Sequence, residues 1–124
     1  MIWHALPSNP SYEISDTGLV RQKNRMVFNR GRYYNKPGSL VKIHRDPDGY
    51  CFVVLAHKGS NQKKFVHRLV AEAFIGPRPE DQTVDHINRV RDDNRVENLR
   101  YATASEQNKN RVFKRKVKSD EAEG

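Results

Sequence analysis

An aspartate and a histidine stand side by side at Asp85-His86, inside the short run Val84–Ile87. Asn98 comes twelve residues after His86 and opens a second apolar stretch, Asn98-Leu99-Arg100-Tyr101-Ala102-Thr103. A polar run with a helical pattern follows from Ala104 to Arg111. A carboxylate beside an imidazole, with amide side chains arriving from downstream, suits hydrolysis of a phosphodiester with one divalent cation. The carboxylate holds the cation and the imidazole takes a proton from water. On a chain this basic, the matching substrate is nucleic acid.

The elements that must position these groups belong to a small protein. The chain has 124 residues, a hydrophobic fraction of 35% and a formal net charge of +8. That length predicts one compact domain with modest extensions, and the low apolar content predicts a small core. The charge favours a polyanionic partner. No apolar run approaches the roughly 18 residues needed to cross a bilayer, and no signal-peptide core stands at the N-terminus, so a cytoplasmic protein without a membrane partner is expected. The single Cys51 excludes an internal disulfide and a cysteine-based zinc site, and its place between Tyr50 and Phe52 marks it as a buried, inert thiol.

Charge is unevenly distributed. Between Thr17 and Arg45 there are eight cations (Arg21, Lys23, Arg25, Arg30, Arg32, Lys36, Lys42 and Arg45) and no Asp or Glu. With Tyr33 and Tyr34 embedded among them, these residues suit a phosphate backbone, which lysine and arginine neutralise while tyrosines stack or hydrogen-bond. They are the candidate DNA-binding residues. A second basic block, from Lys109 to Lys118, precedes an acidic end at Asp120, Glu121 and Glu123.

Residues 12–15 and 19–21 read as strands around the turn Asp16-Thr17-Gly18, residues 29–39 as a loop, and Asp46-Pro47-Asp48-Gly49 as another turn. Tyr50–Leu55 is aromatic and β-branched, a strand, and His57 to Lys64 reads as a polar turn. Val66, Leu69, Val70, Ala73 and Phe74 then recur at the spacing of an amphipathic helix, stopped by Gly76-Pro77. His67 lies off that stripe and is expected at the surface or as a cap. Residues 83–87 and 98–103 read as strands around a charged loop, with Thr103 or Ser105 capping the next helix. His4, His44 and His57 read as surface residues, His44 being placed by Lys42 and Arg45 to touch phosphate, and Trp3 as a core anchor.

This order of elements, with these residues, resembles the HNH nucleases, and among them the small phage and intron-encoded HNH endonucleases with a ββα-metal motif. The segments that carry the resemblance are Val66-His67-Arg68-Leu69-Val70-Ala71-Glu72-Ala73-Phe74-Ile75, Val84-Asp85-His86-Ile87 and the stretch from Asn98 to Thr103. Trp3, Tyr12-Glu13-Ile14-Ser15 and Gly18-Leu19-Val20-Arg21 resemble the short module that commonly precedes the nuclease in such proteins. Together these matches span roughly residues 3–111.

The resemblance implies His86 as general base, fitting an imidazole with an ordinary pKa of about 6.5. It implies Asp85 as ligand of a divalent metal, Mg²⁺ above all, with Mn²⁺ or another transition metal as the alternative, and Asn98 as the residue that holds the hairpin loop or orients the His86 ring. Successive side chains on a strand face opposite ways, so a bend or bulge is expected at Asp85-His86. At the third motif position the sequence departs from the usual His or Asn. Nine residues on from Asn98 stands Gln107, with Asn108 beside it. Spacing favours Gln107 and residue type favours Asn108, while about 100° per helical residue lets only one face the metal.

The expectation is therefore an α+β protein. A β-rich, basic, DNA-contacting module (1–64) precedes a helix and ββα-metal motif (65–112), with a charged tail at 113–124. Its implied activity is metal-dependent nicking of one DNA strand to leave a 5′ phosphate and a 3′ hydroxyl, with no small-molecule cofactor, in a monomer or weak dimer. A dimer or two binding events would be required for a double-strand cut. The alternative is a weakly active or inactive HNH scaffold that only binds nucleic acid. Related enzymes often add a C-terminal helix-turn-helix, and the 12 residues after position 112 predict modest sequence specificity here.

Overall fold

The computed structural model of the chain describes residues 1–110. Strands β1 (Trp3–Leu6), β2 (Asn9–Ser15) and β3 (Val20–Gln22) form an antiparallel sheet in that order. The β2–β3 turn is closed by the Ser15 hydroxyl, which accepts the Leu19 amide at 2.9 Å, and by Gly18 at φ +95°.

Residues 29–39, expected as a loop, are largely paired. Strands β4 (Arg25–Asn29) and β5 (Arg32–Lys36) form a hairpin. Arg30 and Gly31 take φ 53° and 80° in its turn, so the glycine supplies the left-handed conformation that a two-residue connection needs. A second hairpin is alike. His57 to Lys64 is not the expected polar turn, because β7 (Cys51–His57) turns at Lys58-Gly59 and returns as β8 (Ser60–Phe65). Polarity misleads there because half of β8 is exposed and none of it is buried. The short strand β6 (His44–Arg45) pairs with the other edge of β7.

Helix α1 (Val66–Val70) continues into a π-helical turn, Ala71–Ile75, ended by Gly76 at φ 131°. Strands β9 (Thr83–His86) and β10 (Leu99–Ala102) pair antiparallel, and helix α2 (Ala104–Asn110) follows. Thr103 caps α2 in a reciprocal box with Glu106. Its amide donates to Glu106 Oε1 at 2.9 Å, while its hydroxyl accepts the Glu106 amide at 3.2 Å.

A core of buried side chains draws on both halves of the chain. Leu6, Tyr12, Ile14 and Val20 meet Cys51, Val53 and Leu55 of β7, and Val66, Leu69 and Val70 of α1 close over them with Leu99. Each fully buried aliphatic here contributes about 1.5–3 kcal/mol, so the first sheet is as much a part of the scaffold beneath β9–β10 as α1 is. Trp3, expected as a core anchor, is half-buried, and the Arg21 guanidinium lies 3.9 Å from its ring centroid. Cys51 is buried, as its sequence context required. No described helix is long and apolar enough to cross a membrane.

Candidate active site

The β9–β10 register is even through the strand end, with Asp85 opposite Arg100 and His86 opposite Leu99. Of the bend or bulge expected at the strand end, the structure has the bend, while Asp85 and His86 alternate along β9. The bend comes just after His86, where the Arg89 amide donates to His86 O at 2.9 Å with Arg89 at φ 65°. On one face the Asp85 carboxylate meets the Arg100 guanidinium at 3.0 Å. On the other, His86 is buried, with Nε2 2.8 Å from Asn94 Oδ1. An amide oxygen can only accept, so Nε2 carries the proton and the lone pair of this tautomer sits on Nδ1.

Asn98 is buried at the base of the loop between the strands. Its Oδ1 accepts the Asn88 amide, and its Nδ2 donates to Asn88 Oδ1 and to the Asp93 carbonyl, each at 2.9 Å. Further along the loop, Arg95 grips both oxygens of Asp93 at 2.8 Å. That fork, with the Asn88 amide, holds the Asp93 carboxyl well below the usual carboxylate range. The loop is thus a closed hydrogen-bonded frame that fixes Asn94 against His86. Asn94 has no local signature in the sequence, and its role exists only once the loop is folded.

His67, expected at the surface, is instead buried at 8% exposure. Neighbours far away in sequence enclose it, with its ring centroid 5.2 Å from that of Tyr50 and 5.1 Å from that of His86. Burial first, then the proximity of His86 and Arg68, lowers its pKa to about 4, with Asp46 acting weakly the other way. Arg91 in turn lies over the Tyr50 ring, at 5.0 Å.

The Gln107 amide reaches back to strand β9. Its Nε2 donates to the Thr83 hydroxyl and, at 3.2 Å, to the Ala102 carbonyl. Thr83 lies two residues before Asp85, hence on the same face of the strand. Asn108 is exposed. Among the described residues no three His, Cys, Asp or Glu side chains gather into a metal-holding group. A cation at Asp85 would therefore draw its other oxygens from side-chain amides, water and phosphate. That donor set fits Mg²⁺, which takes oxygen ligands and keeps several waters.

Comparison with known proteins gives this arrangement a family. The HNH endonuclease family model matches residues 64–109, and the NUMOD4 motif matches residues 1–56. Residues 64–109 are an HNH endonuclease domain. The chain is 34% identical over 92 residues to the DNA endonuclease I-HmuI of Bacillus phage SP01, covering 74% of this chain and 46% of that protein. It is also 40% identical over 84 residues to an uncharacterized HNH endonuclease of Acanthamoeba polyphaga mimivirus, covering 65% of this chain and 21% of that one. A solved structure of DNA binding and cleavage by the HNH homing endonuclease I-HmuI superposes with a TM-score of 0.70 at 29% identity, covering 89% of this chain and 57% of that one. The chain thus spans between about a fifth and somewhat over half of these relatives.

Ahead of the HNH domain, the eight candidate DNA-binding cations stand in different settings. Arg25, Arg30, Arg32 and Lys36 ride on the β4–β5 hairpin, whose residues are almost all exposed. Lys42 is exposed and Lys23 half-buried. Arg45 is engaged with Asp92 in the HNH loop at 2.6 Å. Arg21 Nε meets Glu13 at 2.8 Å while its guanidinium lies over Trp3. His44 stacks on Phe52 at 5.2 Å and His4 on Phe74 at 4.3 Å, so both rings pack onto the fold. The tail at 113–124, and the second basic block beyond Asn110, lie outside the described residues.

Proposed function

We propose that the protein is a metal-dependent HNH DNA endonuclease that nicks one strand, leaving a 5′ phosphate and a 3′ hydroxyl. The observation that carries this reading is the His86–Asn94 hydrogen bond beside Asp85, in a domain of the HNH endonuclease family. It fixes an imidazole in the tautomer that accepts a proton through Nδ1. That nitrogen takes the proton of the attacking water as the new P–O bond forms, and the bond to the 3′ oxygen breaks. Asn98 keeps the loop closed and so keeps Asn94 on His86. Asp85, with Gln107 or Asn108, would hold a divalent cation, most naturally Mg²⁺, which when bound would supply Lewis-acid polarisation of the phosphate and offset charge on the leaving oxygen. Gln107 is the better-supported partner, because its amide already sits on the Asp85 face of β9.

DNA binding, the subject of the I-HmuI structure, comes to this chain through the exposed cations of the β4–β5 hairpin and Lys42. We read residues 1–64 as the module that contacts DNA and 65–112 as the nuclease, working as a monomer that cuts one strand per binding event. Supercoiled plasmid incubated with Mg²⁺ tests the reading. Wild type should convert it to the nicked form, while His86→Ala, Asp85→Ala and wild type in excess EDTA should not. Plasmid left intact by wild type across Mg²⁺, Mn²⁺ and other divalent metals, with DNA still bound, would instead identify a scaffold that only binds.

A further inference from the structure

The proposed mechanism makes no use of His67, although this second imidazole packs directly against the first. Its ring lies 5.1 Å from the His86 ring, inclined by 56°, and it also meets Tyr50 and Phe65, at 5.2 and 5.6 Å. Its Nδ1 is fully buried and has no hydrogen-bond partner among the described residues. Buried polar atoms in folded proteins almost always have partners, and an orphan weakens the fold. An aromatic hydrocarbon ring would satisfy the same neighbours without that weakness, because the surroundings are themselves aromatic. Fold stability therefore gives no reason for an imidazole at this position.

We infer that His67 is a positioning residue of the nuclease site, which acts through His86 and needs its own ring nitrogen to do so. Asn94 holds His86 at Nε2, and His67 bounds the His86 ring on a separate side, together with Tyr50. Between them the two contacts leave the imidazole little rotational freedom. The depressed pKa of His67 keeps the wall uncharged near neutral pH, so it does not oppose the charge that His86 gains with the water's proton. The unsatisfied Nδ1 stays enclosed among these rings, a polar atom kept beside His86 at a cost to the fold.

This inference rests on the nuclease reading and is tested beside it. Three full-length variants separate a polar role from packing. His67→Phe keeps an aromatic ring without nitrogens, His67→Asn restores a polar atom near the position of Nδ1, and His67→Ala removes both. Single-turnover nicking of supercoiled plasmid in Mg²⁺, the half-saturation for DNA, and the Tm are measured for each. We expect His67→Phe to keep the Tm and DNA half-saturation of wild type yet nick about tenfold or more slowly, as loss of orientation implies. His67→Asn should recover most of that rate despite a lower Tm. Wild-type nicking by His67→Phe would overturn the inference and leave His67 as packing. Equal losses in the Phe and Asn variants, tracking Tm, would overturn it as well. If wild type and His86→Ala fail alike to nick, the nuclease reading itself falls, and the inference falls with it.

Discussion

The imidazole of His86 and the amide of Asn94 are 2.8 Å apart and both buried, although they stand eight positions apart along the chain. Neither residue is adjacent to the other in any regular element. Their contact exists because Asn98, Asn88 and Asp93 close that loop into a frame. The loop is thus the part of the HNH domain that decides which nitrogen of His86 carries a proton.

Asn94→Ala should accordingly impair turnover more than folding or binding. Without the acceptor at Nε2, the ring loses its fixed tautomer and one of its supports. A misplacement of about 1 Å in a catalytic group costs up to about a hundredfold in rate. We expect plasmid nicking to slow by roughly ten- to a hundredfold while DNA affinity in a gel-shift titration changes less than about threefold. An unchanged rate would show that the frame does not orient His86.

The same asparagine is reached from the first sheet. Gly18 stands in the β2–β3 turn at φ +95°, and a Cβ built there would meet Asn94 Cβ at 3.0 Å and Val66 Cγ1 at 3.5 Å. Gly18→Ala combines an unfavourable backbone conformation with overpacking against the catalytic loop. Together these should destabilise by about 1–3 kcal/mol. The chemical denaturation midpoint should fall, and so should the nicking rate, since relief of the clash pushes Asn94 away from His86. An equally stable variant would mean that the turn and the loop are not coupled.

The parts of this protein that are legible in its sequence are those written locally. The stripe at Val66, Leu69 and Val70 marks α1, the Asp46–Gly49 turn falls in place, and Thr103 with Glu106 announces α2. Two hairpins escape such a reading because Arg30-Gly31 and Lys58-Gly59 replace the usual Asn-Gly or Asp-Gly turn, and because strands with both faces wet show no alternation. Gly31 and Gly59 are the available signals. Asp85, His86 and Asn98 stand out by type and spacing, yet Asn94 and His67 do not. Their importance depends on Tyr50 and Gly18, which lie far off in the sequence, and no local pattern encodes such a meeting.

The cations offer a test in which two kinds of arginine respond differently. Arg25 faces Lys36 across the β4–β5 hairpin and Asn29 faces Arg32, so Arg25, Arg32 and Lys36 share one side of the ribbon. If these three meet phosphates, alanine at all three should lower the slope of log affinity against log salt by about 0.9 for each phosphate no longer neutralised. Arg21→Ala should leave that slope nearly unchanged. Instead it should reduce stability by about 1 kcal/mol, through the half-exposed Glu13 pair and the contact with Trp3. A salt slope lowered by Arg21→Ala alone would return that residue to the DNA surface.

His67 also leaves a mark on stability as a function of pH. Its folded-state pKa is about 4 against 6.5 when unfolded, lowered by burial first and then by His86 and Arg68, with Asp46 opposing them. Between these values the unfolded chain binds a proton that the folded chain refuses, so stability rises with pH across that window. Read downward, the contribution is intact above about pH 6.5, declines as the pH drops below it, and levels off below about pH 4. Between about pH 7 and 4.5 the loss from this one group is on the order of 2 kcal/mol. Urea denaturation of wild type and His67→Phe at both pH values reads it, together with its coupling to His86. The phenylalanine variant should lose less stability on acidification by about that amount. Parallel losses in both would show that the imidazole is already charged, or already solvated, in the folded protein.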